Sequence, residues 1–168
     1  MRINGSTNVN VFQCGSVRYT GADMIRERWD PDSEKWEISG SVYIDIGQFD
    51  CNHRVMNNDF RNTLQYHEHP EIKIEFMNLK EIRTGKDVRQ AAGWVEITLA
   101  GKTHAYFLIS ELEAVNSRYN ILRGEQLFRF SHFGIDPPQR GFGLVKVEDV
   151  VKVQFEFMLE YTDFAESY

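Results

Sequence analysis

FDCNHRVMNNDFRNTLQYHEHPEIKIEF, residues 49–76, is the stretch whose reading decides the fold. Asn57, Asn58 and Asp59 are residue types that start helices, because their side-chain oxygens accept from the unpaired first-turn amides. Phe60 and Leu64 stand four apart, on one face of a short helix. Pro70 cannot continue a helix and biases His69 toward extended backbone. Ile72, Ile74 and Phe76 then alternate with Lys73 and Glu75, which is strand periodicity. The stretch predicts one short helix near residues 57–66, entered from a strand and left through a proline into another.

Outward from this point the chain reads as strands. A first strand is expected over residues 8–19, then a polar loop, RERWDPDSEK, at 26–35 with Asp30-Pro31-Asp32 as turn chemistry. Trp36, Ile38, Val42, Ile44 and Ile46 all fall on even positions, opposite Glu37, Ser39, Ser41, Tyr43 and Asp45, so one face is apolar and the other meets water. A strand over 72–82 leads to a turn at Thr84-Gly85-Lys86-Asp87. Trp94, Val95, Ile97 and Leu99 precede Ala100-Gly101-Lys102-Thr103, which reads as a tight hairpin. A further hairpin joins residues 106–112 to 119–130 through Asn116-Ser117. SHFGIDPPQRGFG, 131–143, is too rich in Gly and Pro for regular structure. The last strand carries Val145, Val147, Val151, Val153, Phe155, Phe157 and Leu159 on odd numbers. No repeat or linker divides the chain, so residues 1–168 form one domain of ordinary size. Strands apolar on one face only would leave a flat sheet with an oily face and two open edges. The expected fold class is therefore all-β, an antiparallel β-barrel of about eight strands with one inserted helix.

Composition narrows function. Hydrophobic residues make up 42% and charged residues 26% of the chain, values of a folded globular protein. No apolar run approaches the roughly 20 residues of a membrane-spanning helix. The net charge of −6 argues against nucleic acid, which is bound largely by Lys and Arg, and against anionic lipid head groups. Any lipid would be held by apolar burial. The N-terminus, MRINGSTNVN, is polar and carries no secretory signal, which fits either a cytoplasmic protein or a mature chain whose leader has been removed. Cys14 and Cys51 could bridge in an oxidising compartment or remain two buried free thiols.

The reactive residue types form no recognisable catalytic set. His67-Glu68-His69, with His53 and His104 elsewhere, offers two imidazoles on one face only in extended structure, short of the three or four convergent ligands a metal requires. There is no G-x-S-x-G elbow. Ser131 and His132 are neighbours that would point to opposite faces of a strand. Glu111 and Glu113 read as a solvated strand end, and Gly85-Lys86 and Gly101-Lys102-Thr103 lack the spacing of phosphate loops. Arg123 and Arg129 fall opposite the Leu122, Phe128 and Phe130 face and are expected outside the barrel, paired with Glu125. No metal, no cofactor and no enzyme activity are expected.

Five stretches, in order, carry a resemblance. VYIDIGQF (42–49), MNNDFRNTL (56–64), HPEIKIEF (69–76), the Gly93–Thr103 hairpin GWVEITLAGKT, and SHFGIDPPQRGFGLVKVED (131–149) running into VVKVQFEF together resemble the YceI-like family, the polyisoprenoid-binding, lipocalin-like barrels of bacteria. The likeness spans nearly the whole chain, though TNVNVFQC is less hydrophobic than the usual first strand and the helix is shorter.

The resemblance implies a lumen holding an amphiphilic lipid, an isoprenoid or fatty tail, in an extracytoplasmic, periplasmic protein made with a leader. It also implies a bridge between Cys14 and Cys51. Taken with the strand pattern, the candidate lining residues are Phe12, Ile44, Phe60, Phe76, Trp94, Phe107, Phe128, Phe130, Phe155 and Phe157. The expected partner is one hydrophobic ligand, in transport or storage; a homodimer is left open. The alternative is a barrel filled by its own side chains and working as an interaction module through loops such as 136–143.

Overall fold

The computed structural model describes residues 1–16, 23, 25–32, 35–83, 89–116 and 119–160. The alternation around Ile38–Ile44 becomes β4 (Lys35–Asp45), with Ile38, Val42 and Ile44 buried. From β4 the chain passes through a 3-10 turn (Ile46–Gln48) into the two-residue β5 (Phe49–Asp50), and then into α1 (Arg54–Thr63). After Pro70 come three long strands: β6 (Glu71–Arg83), β7 (Arg89–Leu99) and β8 (Lys102–Ala114). β9 (Tyr119–Arg129) and the final β12 (Val150–Glu160) pair along their whole length. At the other end of the chain stand β1 (Arg2–Ser6), β2 (Val11–Ser16) and β3 (Ile25–Asp30).

All these strands belong to one antiparallel sheet in the order β3-β4-β6-β7-β8-β9-β12-β1-β2-β5. Because β5 continues β4, its pairing with β2 (Gly15 opposite Asp50, Ser16 opposite Phe49) brings the ribbon round to its own beginning. The sheet is thus a curled barrel wall with β3 as an extra edge strand. The Cys14–Cys51 disulfide, buried at both ends, lies beside this junction.

α1 covers one end of the barrel. Its ties run to the segment just before it. Asn57 accepts from the Cys51 backbone N–H at 2.7 Å and donates to Asp50 at 2.9 Å. Arg61 donates to the Gly47 carbonyl at 3.1 Å, and the Phe60 ring lies 5.3 Å from that of Phe49. The side-chain bond from Asn57 and the Asn52 backbone N–H hold the Asp50 carboxyl below the usual carboxylate range.

A β-bulge sets which residues face inward. In β6 Ile72, Ile74 and Phe76 are buried, but the next buried residue is Leu79, because one extra residue is inserted between Phe76 and Lys80. Asn78, in the bulge, accepts from the Trp94 backbone N–H at 2.9 Å. Opposite it the backbones of β6 and β7 approach so closely that a Cβ on Gly93 would sit 2.3 Å from the Asn78 carbonyl oxygen.

Several expectations are corrected. The strand expected over 8–19 begins at Val11 as β2, and an unexpected strand, β1, precedes it; Thr7 turns the chain between them by accepting through its hydroxyl from the Val9 and Asn10 backbones, and residues 17–19 lie outside the described part. The polar stretch after residue 25 is a strand, β3, whose charges are met across the ladder, with Arg28 3.1 Å from Glu37 directly opposite. The helix begins at Arg54, not Asn57: His53 occupies the N-cap without a side-chain bond, and Asn57 reaches back from inside the helix. Residues 131–143 hold a 3-10 turn (Phe130–Phe133) and β10 (Gln139–Arg140), which pairs with β11 (Val145–Lys146). The last run of odd-numbered apolar residues is therefore broken before β12. The turn expected at 84–87 lies outside the described residues.

Asp149 closes the base of the 130–149 excursion. It accepts from the Ser131 backbone and hydroxyl, both at 2.8 Å, and from Arg129 at 3.4 Å. Burial alone would raise its carboxyl, but these bonds together outweigh that and hold it below the usual range.

Three stability measurements check this architecture. Gly93→Ala is expected to cost about 1–3 kcal/mol in urea unfolding, because backbone rather than a movable side chain blocks the new methyl. Replacing both Cys14 and Cys51 by Ser is expected to cost about 3–4 kcal/mol, from the chain entropy returned to the unfolded state. Asp149→Asn lowers the thermal midpoint at neutral pH. A carboxyl with a depressed folded-state pKa stabilises above its unfolded value, so the deficit shrinks as pH falls through the folded one.

Candidate ligand-binding lumen

The barrel is solid at one end and hollow at the other. Leu79, Leu112 and Leu122 fill the end away from α1 and are essentially without exposure. Below α1 an inner cavity of about 90 Å³ opens between the walls. Its surface is built from inward-facing residues of β6, β7 and β12, among them Ile74, Val95, Ile97, Val151 and Val153, with Leu64 from the helix exit. A second, outer cavity of about 290 Å³ lies between α1, β1, β2 and the β10–β11 segment. The two share Ile3, Phe60, Leu64 and Phe130 in their walls, so they are neighbouring hollows that meet at these four side chains. The outer cavity alone comes close to the roughly 300 Å³ lower bound of small-molecule sites.

Phe60, Phe76, Phe128, Phe130, Phe155 and Phe157 stand on the wall of the inner cavity. Phe12 stands on that of the outer one. Ile44 is buried in the surrounding core and reaches neither. Trp94 and Phe107 are corrections: they lie on the outer surface, 49% and 50% exposed. Inward positions are odd in β7 (Val95, Ile97) and even in β8 (Tyr106, Leu108), so both rings point outward, where they pack edge to face at 5.6 Å as a direct cross-strand pair. Residues that the sequence reading passed over include Ile3, Leu108 and Phe133 in the inner wall and Met56, Val145 and Val147 in the outer. Leu108 shares the parity of Leu112 and could have been found by it. Val145 and Val147 belong to the odd-numbered apolar series before β12, but nothing in that alternation shows that they face a cavity rather than the core.

Charged side chains stay off the inner cavity. Arg129, the one charged residue on the inner wall, turns its guanidinium outward to Asp149. Arg123 is paired with Glu113 at 2.7 Å and lies 3.8 Å from Glu156; Glu125, its expected partner, pairs instead with Lys152 at 3.1 Å. At the outer mouth Arg140 donates through Nε to Asp59 at 2.6 Å, bolting the β10 strand to α1.

One stretch of side wall is closed by rings instead of backbone bonds. The β8–β9 ladder runs from Ser110 opposite Gly124 to Ala114 opposite Asn120 and goes no further toward α1. Beyond it Tyr106 packs edge-on against Phe128 at 4.6 Å, and its hydroxyl shares a 2.9 Å hydrogen bond with His132 Nδ1. His104 stacks on His132 at 4.0 Å. Burial pushes the Tyr106 phenol up, against the opposing effect of a backbone hydrogen bond from Arg129. Among the described residues no three His, Cys, Asp or Glu side chains gather as a metal site, and no helix is long and apolar enough to cross a membrane.

No protein-family model and no curated protein sequence matches the chain. Solved structures do. BcnA of Burkholderia cenocepacia superposes with a TM-score of 0.62 at 14% identity, over 94% of this chain and 95% of that one. A polyisoprenoid-binding domain of Saccharophagus degradans, implicated in plant cell wall breakdown, gives 0.62 at 10% identity over 96% and 94%. The YceI protein of Campylobacter jejuni gives 0.55 at 13% identity over 89% and 85%. Curled antiparallel wall, capping helix and near-complete coverage agree: the fold of this chain is the YceI-like, lipocalin-like barrel.

Proposed function

We propose that the protein binds one amphiphilic lipid, with an isoprenoid or fatty tail in the lumen, as a carrier or storage protein of the bacterial cell envelope. The observation that carries this reading is the pair of adjacent apolar cavities, the outer walled by Phe12 and the inner by Phe155 and Phe157, with Phe60 and Phe130 lining both. Burying a five-carbon isoprene unit contributes roughly 3–4 kcal/mol gross, at about 0.8 kcal/mol per carbon, so a tail binds without polar contacts along its length. The solved domain named for polyisoprenoid binding has the same fold, which supports the ligand class. The Cys14–Cys51 disulfide suits an oxidising, extracytoplasmic compartment. The reading is one of binding and not of catalysis.

A second reading, an interaction module with a filled core, draws on the tight packing of the far end and the modest size of the inner cavity. One experiment separates them. Organic extracts of purified protein analysed by mass spectrometry are expected to contain a stoichiometric hydrophobic compound. Phe155→Asp, at an inward position, abolishes its retention, whereas Lys152→Asp, at an outward one, leaves it unchanged. An empty extract from folded protein, or equal loss from both variants, overturns the lipid reading and leaves the filled barrel.

A further inference from the structure

Two loop tips at the cavity mouth carry bare apolar side chains. The first is the turn between β1 and β2, where Val9 and Val11 are 69% and 77% exposed. The second is the β10–β11 hairpin, where Phe142 is wholly exposed and Leu144 is 76% exposed. The tips are locked together by Asn8. Its backbone N–H donates to the Lys146 carbonyl at 3.1 Å, its amide nitrogen to the Leu144 carbonyl at 3.0 Å, and its amide oxygen accepts from the Lys146 N–H at 3.0 Å. Val9 and Leu144 are therefore held in one platform. Immediately behind it Thr7, Val145 and Val147 line the outer cavity.

The hairpin tip holds an unusual backbone. Gly141, Phe142 and Gly143 have φ of 59°, 55° and 86° in succession. Glycine accepts this left-handed region freely, but a bulky residue such as phenylalanine is a conformational outlier there. The ring gains no packing in return, since it points into open space. A strained backbone at an exposed apolar residue motivates a functional reading of that ring.

We propose that these tips insert into the interface of a zwitterionic lipid bilayer and set the cavity mouth against it, so that lipid passes between membrane and lumen without crossing water. The inference rests on the lumen reading for its purpose, though not for its geometry. Convex tips fit a fluid phase that closes around them, and an apolar surface continuous with an apolar cavity fits the phase from which a hydrophobic tail comes. A bilayer of neutral head groups is indicated by charge: the chain is net −6, Arg140 beside the tips is occupied by Asp59, and Lys146 adds a single further exposed cation on the hairpin, short of a basic patch. Anionic lipid would be repelled rather than drawn in.

The test is flotation of the full chain with phosphatidylcholine vesicles, alone and with added phosphatidylglycerol. Wild type is expected to float reversibly with phosphatidylcholine and less well as phosphatidylglycerol rises. The double variant F142S/L144S is expected to lose at least tenfold in partitioning while keeping its thermal midpoint and the lipid recovered in extracts. Phe107→Ser, on the barrel wall, is expected to change nothing. In a Phe142→Trp variant, brominated phosphatidylcholine should quench fluorescence beyond the quenching of wild type, which reads insertion directly. No flotation of wild type, dependence on anionic lipid, or equal loss from Phe107→Ser overturns the proposal. Flotation that depends on Phe142 from a protein with empty extracts upholds the docking and overturns the lumen reading, so the two fail separately.

Discussion

The junction of β5 with β2 is the constraint on which the rest of the structure depends. Only two residue pairs join these strands, yet they turn a curled ribbon into a continuous wall. Two backbone-paired positions are a weak seam by themselves, and the Cys14–Cys51 bond beside them makes it a covalent one. The same few residues launch α1. Asp50, Cys51 and Asn57 form one knot, so closure of the wall and placement of the cap are a single event in the structure. Without that knot, the apolar face of the sheet would have no lid and the space beneath α1 no roof.

The second governing feature is the bulge in β6. Strand periodicity is two, so one inserted residue exchanges inward for outward beyond it. Upstream of the bulge, Ile72, Ile74 and Phe76 face the interior at even positions; past it, Leu79 does so at an odd one. Gly93 makes the close approach of backbones tolerable, and the Asn78 side chain takes up the Trp94 N–H. The bulge lies near the boundary between the hollow and the packed halves of the barrel, and it lets one strand serve both.

Much of this architecture was legible in the sequence because it follows from alternation. The β4 pattern, the odd-numbered face of β12 and the Phe60–Leu64 spacing needed only periodicity, and the ordered likeness to YceI-like chains named the fold. What failed did so for physical reasons. The strand pattern places Trp94 and Phe107 inward only if the parity that Val95, Ile97 and Leu108 fix in their strands is overlooked. Ring size is no guide where two aromatics can bury area against each other on the outside. The β3 segment reads as a loop because its polar residues find partners only across the ladder, which no local pattern reveals. The helix start was misplaced because Asn57 has a capping residue's chemistry but uses it on the chain behind it. The outer cavity was invisible for a different reason. It is built by residues from four separate parts of the chain, and no local periodicity shows that these parts meet.

The contrast between the two ends of the barrel has a bearing on how such proteins diversify. Side chains at the closed end interlock, and there a change in volume disturbs many neighbours at once. Around the void, a substitution meets empty space on one side and disturbs fewer. Lineages can therefore reshape the chamber while the interlocked floor preserves the scaffold. Superposition over nine-tenths of the chain at only 10–14% identity is the outcome such a division of labour would produce.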